Sequence, residues 1–427
     1  MVSKVYSMGA DGRSHSSATG LVQQMVTVFE AAGFADLIRP GDTVAIKLHC
    51  GEWNNTAYLR PVYARTLVDR IKALGGRPFV CDTTTQTYSM VPGRATALDL
   101  LITAERNGYT SATLGCPFIV ADGFNGTDDV RIDLPEGYIL KEAYIAKAIA
   151  LADAMIVLTH FKGHPLGVIG GSIKNLGIGA QSKRGKYNVH MGGHPKYGYG
   201  AATEFHPERC KGRSGCDRWQ ACETCCPYGL FHVTEHSIEW DRERCTNCLA
   251  HLGANTWCGV CHNPEITVKA ACVAMADGCL GAVKAVGRDR VGFINMAIDV
   301  SPACDCVGFA DMPIVPHLGI FAGYDPVALD KATLDKAAQS PGMPGSAAED
   351  YAVERGTKKF TAAAAPSFEG LSEEIQIVTG SLNGLGSMEY EMVTVEPVAD
   401  RTLWQFPDRR PPREKFGPLY AKDDPFP

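Results

Sequence analysis

Asp42-Thr43-Val44-Ala45-Ile46-Lys47-Leu48 is a short apolar run rich in Val, Ile and Leu. Residues Leu59 to Leu74 follow with apolar side chains at helical spacing, and Arg77 to Cys81 is a second apolar run. That order predicts strand, helix, strand. Working outward, Ala95 to Arg106 reads as a helix leading into a strand at Pro117 to Ala121. Glu142 to Leu151 reads as a helix leading into a strand at Ala154 to Thr159. Thr267 to Val286 (helix), Val291 to Val300 (strand), Pro316 to Ala322 (strand) and Asp325 to Ala338 (helix) continue the alternation. Asp325-Pro326 supplies an N-cap and a proline at the first helical position. The expectation is an α/β fold, a mostly parallel sheet with helices on both faces.

Composition sets the outer limits. The chain has 427 residues, 45% hydrophobic and 21% charged, with a formal net charge of -6. This balance is that of a folded globular protein, and without a broad cationic field nucleic acid is not an expected partner. No stretch approaches the ~20 uninterrupted apolar residues that span a bilayer. Met1 to Gly20 lacks the charged-then-apolar pattern of a signal peptide, so a cytoplasmic location away from membranes is expected.

The segment after Thr159 is where a sheet of this kind collects ligands, beyond the carboxyl end of a strand. It holds His160, Lys162, His164, Lys174 and, further on, His190 as candidate catalytic residues, with Gly170, Gly171 and Asn175 as candidate cofactor-binding residues. Glycines permit close backbone approach, while His, Lys and Asn offer donors and titratable groups. Neighbouring Lys183, Arg184 and Lys186 make the region basic, which suits a small anionic substrate. Glycines also mark ordinary turns and lysines ordinary surface. The glycines fall at neither Walker nor dinucleotide spacing.

Of 16 cysteines, nine lie between Cys210 and Cys261. In a long chain without an export signal such density points to metal ligation rather than disulfides. One arm carries Cys210, Cys216, Cys222, Cys225 and Cys226 before Pro227; the other carries Cys245, Cys248, Cys258 and Cys261 before Pro264. Leu230 to Trp240 between them reads as a hairpin. Two cysteine arms joined in this way resemble a bacterial two-cluster ferredoxin module, which implies two 4Fe-4S clusters. In such modules three thiolates of one arm share a cluster with one from the other. By that rule Cys210, Cys216 and Cys222 join Cys261, and Cys245, Cys248 and Cys258 join Cys226, with Cys225 competing for Cys226's place. The gaps are longer than the usual ferredoxin spacing. Structural zinc is the competing use of so many thiols.

Because the strand and helix pattern resumes beyond the patch, residues 205–266 read as an insertion dividing one α/β domain into 1–204 and 267–340, with 341–427 as an extension. In the extension Ala347 to Glu354 reads as a helix, Thr361 to Pro366 as a connector and 408–427 as a proline-rich, charged tail. Cys272 and Cys279 are seven apart on one helix face and read as buried thiols. Cys304 and Cys306 read as ligands or buried thiols, sharing a face if they lie in a strand.

Together, the run His160 to Gly179, the two-armed patch, Pro302 to Cys306, and Gly319 to Leu329 with Tyr324-Asp325-Pro326-Val327-Ala328-Leu329 at its core resemble the domain-of-unknown-function 362 family of iron-sulfur proteins. The resemblance covers roughly Val44 to Ala338. It implies an α/β domain carrying ferredoxin-type clusters, and it brings no settled reaction. The leading expectation is an iron-sulfur reductase passing single electrons to a small anionic substrate near His160 to Gly179. The alternative is an electron carrier serving a donor or acceptor protein, and the third reading a zinc-stabilised insertion in a non-redox enzyme.

Overall fold

In the computed structural model the described residues are 2–10, 17–86, 92–191, 203–226, 228–245, 259–262, 264–350, 353–363 and 370–397. An eight-stranded sheet organises them: β1 (Ser3–Met8), β2 (Thr43–Lys47), β3 (Arg77–Asp82), β4 (Phe118–Val120), β5 (Ala154–His160), β6 (Val291–Ala297), β7 (Gly319–Gly323) and β8 (Tyr390–Thr394). Their order across the sheet is β8-β1-β7-β6-β5-β2-β3-β4. Strands β6, β5, β2, β3 and β4 are mutually parallel. Strand β7 runs antiparallel to both of its neighbours. The expected α/β fold with a mostly parallel sheet is therefore the one found.

Every residue of β5 and of β6 is buried, as expected of central strands covered on both faces. The helices that cover them are α1 (Leu21–Ala31), α2 (Pro61–Ala73), α3 (Ala97–Arg106), α4 (Ser172–Gly177), α5 (Lys183–Met191), α6 (Pro264–Val286), α7 (Pro326–Gln339) and α8 (Ile375–Leu382). They close two apolar layers. One packs Val28, Phe29, Leu67 and Ile71 against Ile46, Ile156 and Ile294; the other packs Ile173, Met275, Cys279 and Ala328 against Met155, Val157 and Phe293. Asp325 caps α7 as anticipated, its carboxylate accepting from the Val327 and Ala328 amides.

Two expectations fail in instructive ways. Glu142 to Leu151 is a strand, Glu142–Ala146, paired with Asp129–Asp133, and only Lys147–Ala150 is helical. Ala143 and Ile145 are buried between half-buried Glu142 and Tyr144, a two-residue period hidden by alanines that satisfy either pattern. The extension's helix is Ala347–Asp350, shorter than expected, and Phe360–Ala363 is a helical turn rather than connector. Residues 351–352, 364–366 and 408–427 lie outside the described residues.

The described residues between 203 and 262 contain two small ladders outside the main sheet. Thr203–Phe205 pairs with Val260–His262, and the expected hairpin forms between Phe231–Val233 and Ile238–Trp240. Helix α6 then returns the chain to the sheet.

Helix α4 has no capping side chain of its own. Instead Asp330 of α7 accepts hydrogen bonds from the Ser172 and Ile173 amides at 2.8 and 2.9 Å, and from Asn295 Nδ2 at 2.8 Å. A methyl group at Gly171 would meet that carboxylate at 2.4 Å. Asp330→Asn turns one acceptor into a donor facing donors. It is expected to cost about 1–3 kcal/mol, read as a lower midpoint in urea unfolding.

Candidate functional site

Strands β2, β3 and β4 follow one another outward, and the next strand of the sheet, β5, lies on the other side of β2. The carboxyl ends of β2 and β5 thus form a topological switch point, where open α/β sheets place their ligands. Each strand ending there delivers polar side chains. Lys47 ends β2 and His49 follows it, Asp82 ends β3, His160 ends β5, Lys162 and His164 lie on the short strand Lys162–His164 just after it, and the loop after β6 brings Cys304, Asp305 and Cys306. All but half-buried His49 and Cys306 are buried.

These charges are arranged in pairs. Lys47 Nζ donates to Asp82 Oδ1 at 3.0 Å and to Asn175 Oδ1 at 3.1 Å, and His49 Nδ1 lies 2.9 Å from Asp82 Oδ2. Burial alone would raise the Asp82 carboxyl, but Lys47 and His49 hold it far below the usual carboxylate range. Burial and Arg94 in turn lower His49, which keeps the ring neutral. With Nδ1 donating to Asp82, its Nε2 is a buried acceptor without a hydrogen-bond partner in the structure.

Lys162 Nζ pairs with Asp305 Oδ1 at 2.7 Å, and His160 Nδ1 faces Asp305 Oδ2 at 3.2 Å. Burial opposes charge on Asp305, yet Lys162 and His160 hold its carboxyl well below the ordinary value. Arg94 pairs with Glu52 at 2.9 Å and also donates to the Cys306 carbonyl at 3.1 Å, tying the loop after β2 to the loop after β6. At the far side Lys186, lowered to about 8 by burial against the pull of Asp122, donates to Thr83 Oγ1 at 2.7 Å.

A thiol corner completes the site. His164 Nε2 is 3.4 Å from Cys306 Sγ, and Lys174 Nζ is 3.7 Å from Cys304 Sγ. Burial disfavours a Cys304 thiolate, but the hydrogen bond from Cys306 and the ammonium groups of Lys174 and Lys162 bring that thiol well below its ordinary value. The bond to Cys304, then burial, push Cys306 the other way.

Of the residues singled out from sequence, His160, Lys162, His164, Lys174 and Asn175 are brought together here. His160 is occupied structurally, its Nε2 facing the Ile298 carbonyl at 2.9 Å. His190 stands apart at the end of α5, hydrogen-bonded to Lys186 O and Gln86. A methyl at Gly171 would clash with Asp330, so that position has a packing reason to be glycine, whereas at Gly170 it would meet only the flexible Lys162 stem at 3.3 Å. In the patch, Cys210, Cys222, Cys225 and Cys226 pack on a small apolar cluster of Phe231, Val233 and Ile238 with Trp219 and Trp240. Cys216 and Cys245 are half-buried nearby in sequence. Cys248 and Cys258 lie outside the described residues, and of Cys261 only the strand backbone is described.

The sequence reading overlooked Lys47, His49, Glu52, Asp82, Arg94 and Asp305. The available signal was position, because Lys47 and Asp82 close strands directly after the apolar runs 44–46 and 78–81. Cys304 and Cys306 are not in a strand; they flank Asp305 in a turn.

Residues 44–335 match the family described as "Domain of unknown function (DUF362)", and the chain belongs to that family. No curated protein matches the chain. Among solved structures, the lactate racemase apoprotein from Thermoanaerobacterium thermosaccharolyticum is similar to 70% of this chain at 13% identity, with a TM-score of 0.32. The match covers 51% of that protein, so the chain spans about half its length. No helix among the described residues is long and apolar enough to cross a membrane.

Lys47→Met leaves Asp82 buried with only His49 and the Cys50 and Thr83 amides facing it, and a loss of about 3–5 kcal/mol is expected. Adding Asp82→Leu removes the stranded charge, and the double variant should unfold at a higher denaturant concentration than Lys47→Met by itself. Equal midpoints would mean that the two side chains are not coupled.

Proposed function

We propose that this protein is an iron-sulfur redox enzyme, in which two 4Fe-4S clusters in residues 205–266 pass single electrons to a small anionic substrate bound at the switch point. The observation that carries the substrate half is the set of cations around the carboxyl ends of β2 and β5, where Lys47 and Lys162 are buried and Lys174 of α4 is half-buried. Lys47 and Lys162 are each neutralised by a carboxylate, whereas Lys174 makes no ion pair with a carboxylate among the described residues. It is the cation left to bind an anionic group of a ligand. His49, oriented by Asp82 and with Nε2 open, is the group able to accept and return a proton there.

The cysteine-rich segment suits thiolate clusters. Four of its sulfur-bearing side chains collect on one apolar knot, and the Gly212 amide donates to Cys210 Sγ at 3.4 Å, the kind of hydrogen bond that tunes a thiolate-bound cluster. Clusters of this type supply electrons one at a time. The ligand sets remain as the ferredoxin resemblance implies, with Cys225 and Cys226 alternatives for one position. An electron-donor or electron-acceptor protein is part of this reading.

Protein purified without oxygen should carry about eight iron and eight acid-labile sulfide per chain and show a reducible absorbance near ~400 nm. Intact protein without iron or sulfide, even after reconstitution, ends the redox proposal. Oxalate and inorganic phosphate serve as anion probes. Each should raise the wild-type melting temperature, by as much as about 2.7 kcal/mol of stabilisation at a hundredfold excess over Kd. Lys174→Met should lose that response while retaining its iron. If the clusters are present but neither anion stabilises the wild type, the carrier reading takes the enzyme's place.

A further inference from the structure

His164, Cys304 and Cys306 present one nitrogen and two sulfur atoms that all lie within 4.8 Å of one another, the one such group of potential metal donors among the described residues. It lies in the sheet domain, apart in sequence from the nine cysteines between Cys210 and Cys261. We propose that His164 Nε2, Cys304 Sγ and Cys306 Sγ bind a single zinc-class divalent ion, a site separate from the iron-sulfur clusters and independent of whether those clusters exist.

The donor set is suited to such an ion. Bonds of about 2.3 Å to sulfur and 2.0–2.1 Å to nitrogen in a tetrahedral arrangement bring ligand atoms to roughly 3.5 Å from one another. The 3.4 Å between His164 Nε2 and Cys306 Sγ is already at that separation. Two thiolates and an imidazole favour borderline-soft zinc over magnesium or calcium, which take oxygen.

The surroundings hold the ligands in place. The Leu166 and Gly167 amides donate to His164 Nδ1 at 3.1 and 2.9 Å, so the neutral ring carries its proton on Nε2, toward the sulfur. The ion displaces that proton, and the protons of the two thiols, to solvent. Metal-bound histidine more often donates from its second nitrogen. Here the two amides instead stabilise negative charge on the ring. Two thiolates and an imidazolate around a divalent ion leave one net negative charge, which Lys174, 3.7 Å from Cys304 Sγ, offsets when no anionic ligand occupies it. The Cys306 amide also donates to Cys304 Sγ at 3.3 Å. Asp305 is 3.3 Å from Cys304 Sγ but is held by Lys162 and His160. Three protein ligands leave a fourth tetrahedral position for water or a substrate atom, the pattern of catalytic rather than structural zinc.

The test counts metals in full-length protein purified without oxygen. Wild type should hold one equivalent of zinc that Cys304→Ser, Cys306→Ser and His164→Ala each lack, with iron and sulfide unchanged. The Cys279→Ala control, which alters a buried thiol elsewhere, should keep it. Wild-type protein, chelated and then reloaded with zinc alone, provides a readout free of folding defects. Zinc should slow iodoacetamide labelling of Cys304 and Cys306, mapped by mass spectrometry, by an order of magnitude. Equal zinc in all variants with no protection overturns the site. Joint loss of iron and sulfide in Cys304→Ser also overturns it, by assigning that sulfur to a cluster.

Discussion

A charge removed from water must find an opposite charge or a dense set of hydrogen bonds, and the carboxyl edge of this sheet is built around that requirement. Lys47, Asp82, Lys162, Asp305, Glu52 and Arg94 are all buried, and each has its partner on a different strand or loop. The pairs therefore act as cross-links between chain segments far apart in sequence. Lys47 joins β2 to β3 and, through Asn175, to α4; Lys162 joins the segment after β5 to the loop after β6. Apolar packing of the same volume would hold these segments at least as well. The charge kept at this switch point is therefore not accounted for by stability alone.

Much of the fold was readable because hydrophobic period and local signals agreed. The strands at β2, β3, β5 and β6, the capped helix α7 and the hairpin in the cysteine-rich segment all follow from pattern. Glu142 to Ala146 misled because alanine fits a helix face and a strand face equally well. The site was half legible. The glycine- and histidine-rich run after β5 announced itself, while Lys47, His49 and Asp82 did not, since each is a single polar residue at or just past the end of an apolar run. Their convergence depends on strand order, and strand order is not written locally in the sequence.

The glycines of the His160 to Gly179 run carry a lesson about composition. A methyl at Gly163 would approach the Pro302 carbonyl oxygen at 2.1 Å, and one at Gly177 the Met275 carbonyl oxygen at 2.1 Å. Close backbone approach is indeed the reason for glycine at these positions, but the neighbours are the protein's own chain. That closeness lets the segment after β5 lie against the loop after β6, which is what brings His164 to Cys306.

Helix α6 links the cysteine-rich segment to the site with a fixed length. It begins at Pro264, just beyond the second arm, and eight residues later Cys272 donates to the Gly167 carbonyl at 3.4 Å. At 1.5 Å per residue the end of the patch and the Gly167 loop are about 12 Å apart along the helix. Met275, one turn further, lies against Gly177 of α4. A buried helix cannot bend freely, and its ladder of small residues, Ala270, Ala271, Ala274 and Ala276, packs it closely on the sheet domain. The start of α6, next to the cysteine-rich segment in sequence, and the Gly167 loop are thus held a fixed distance apart.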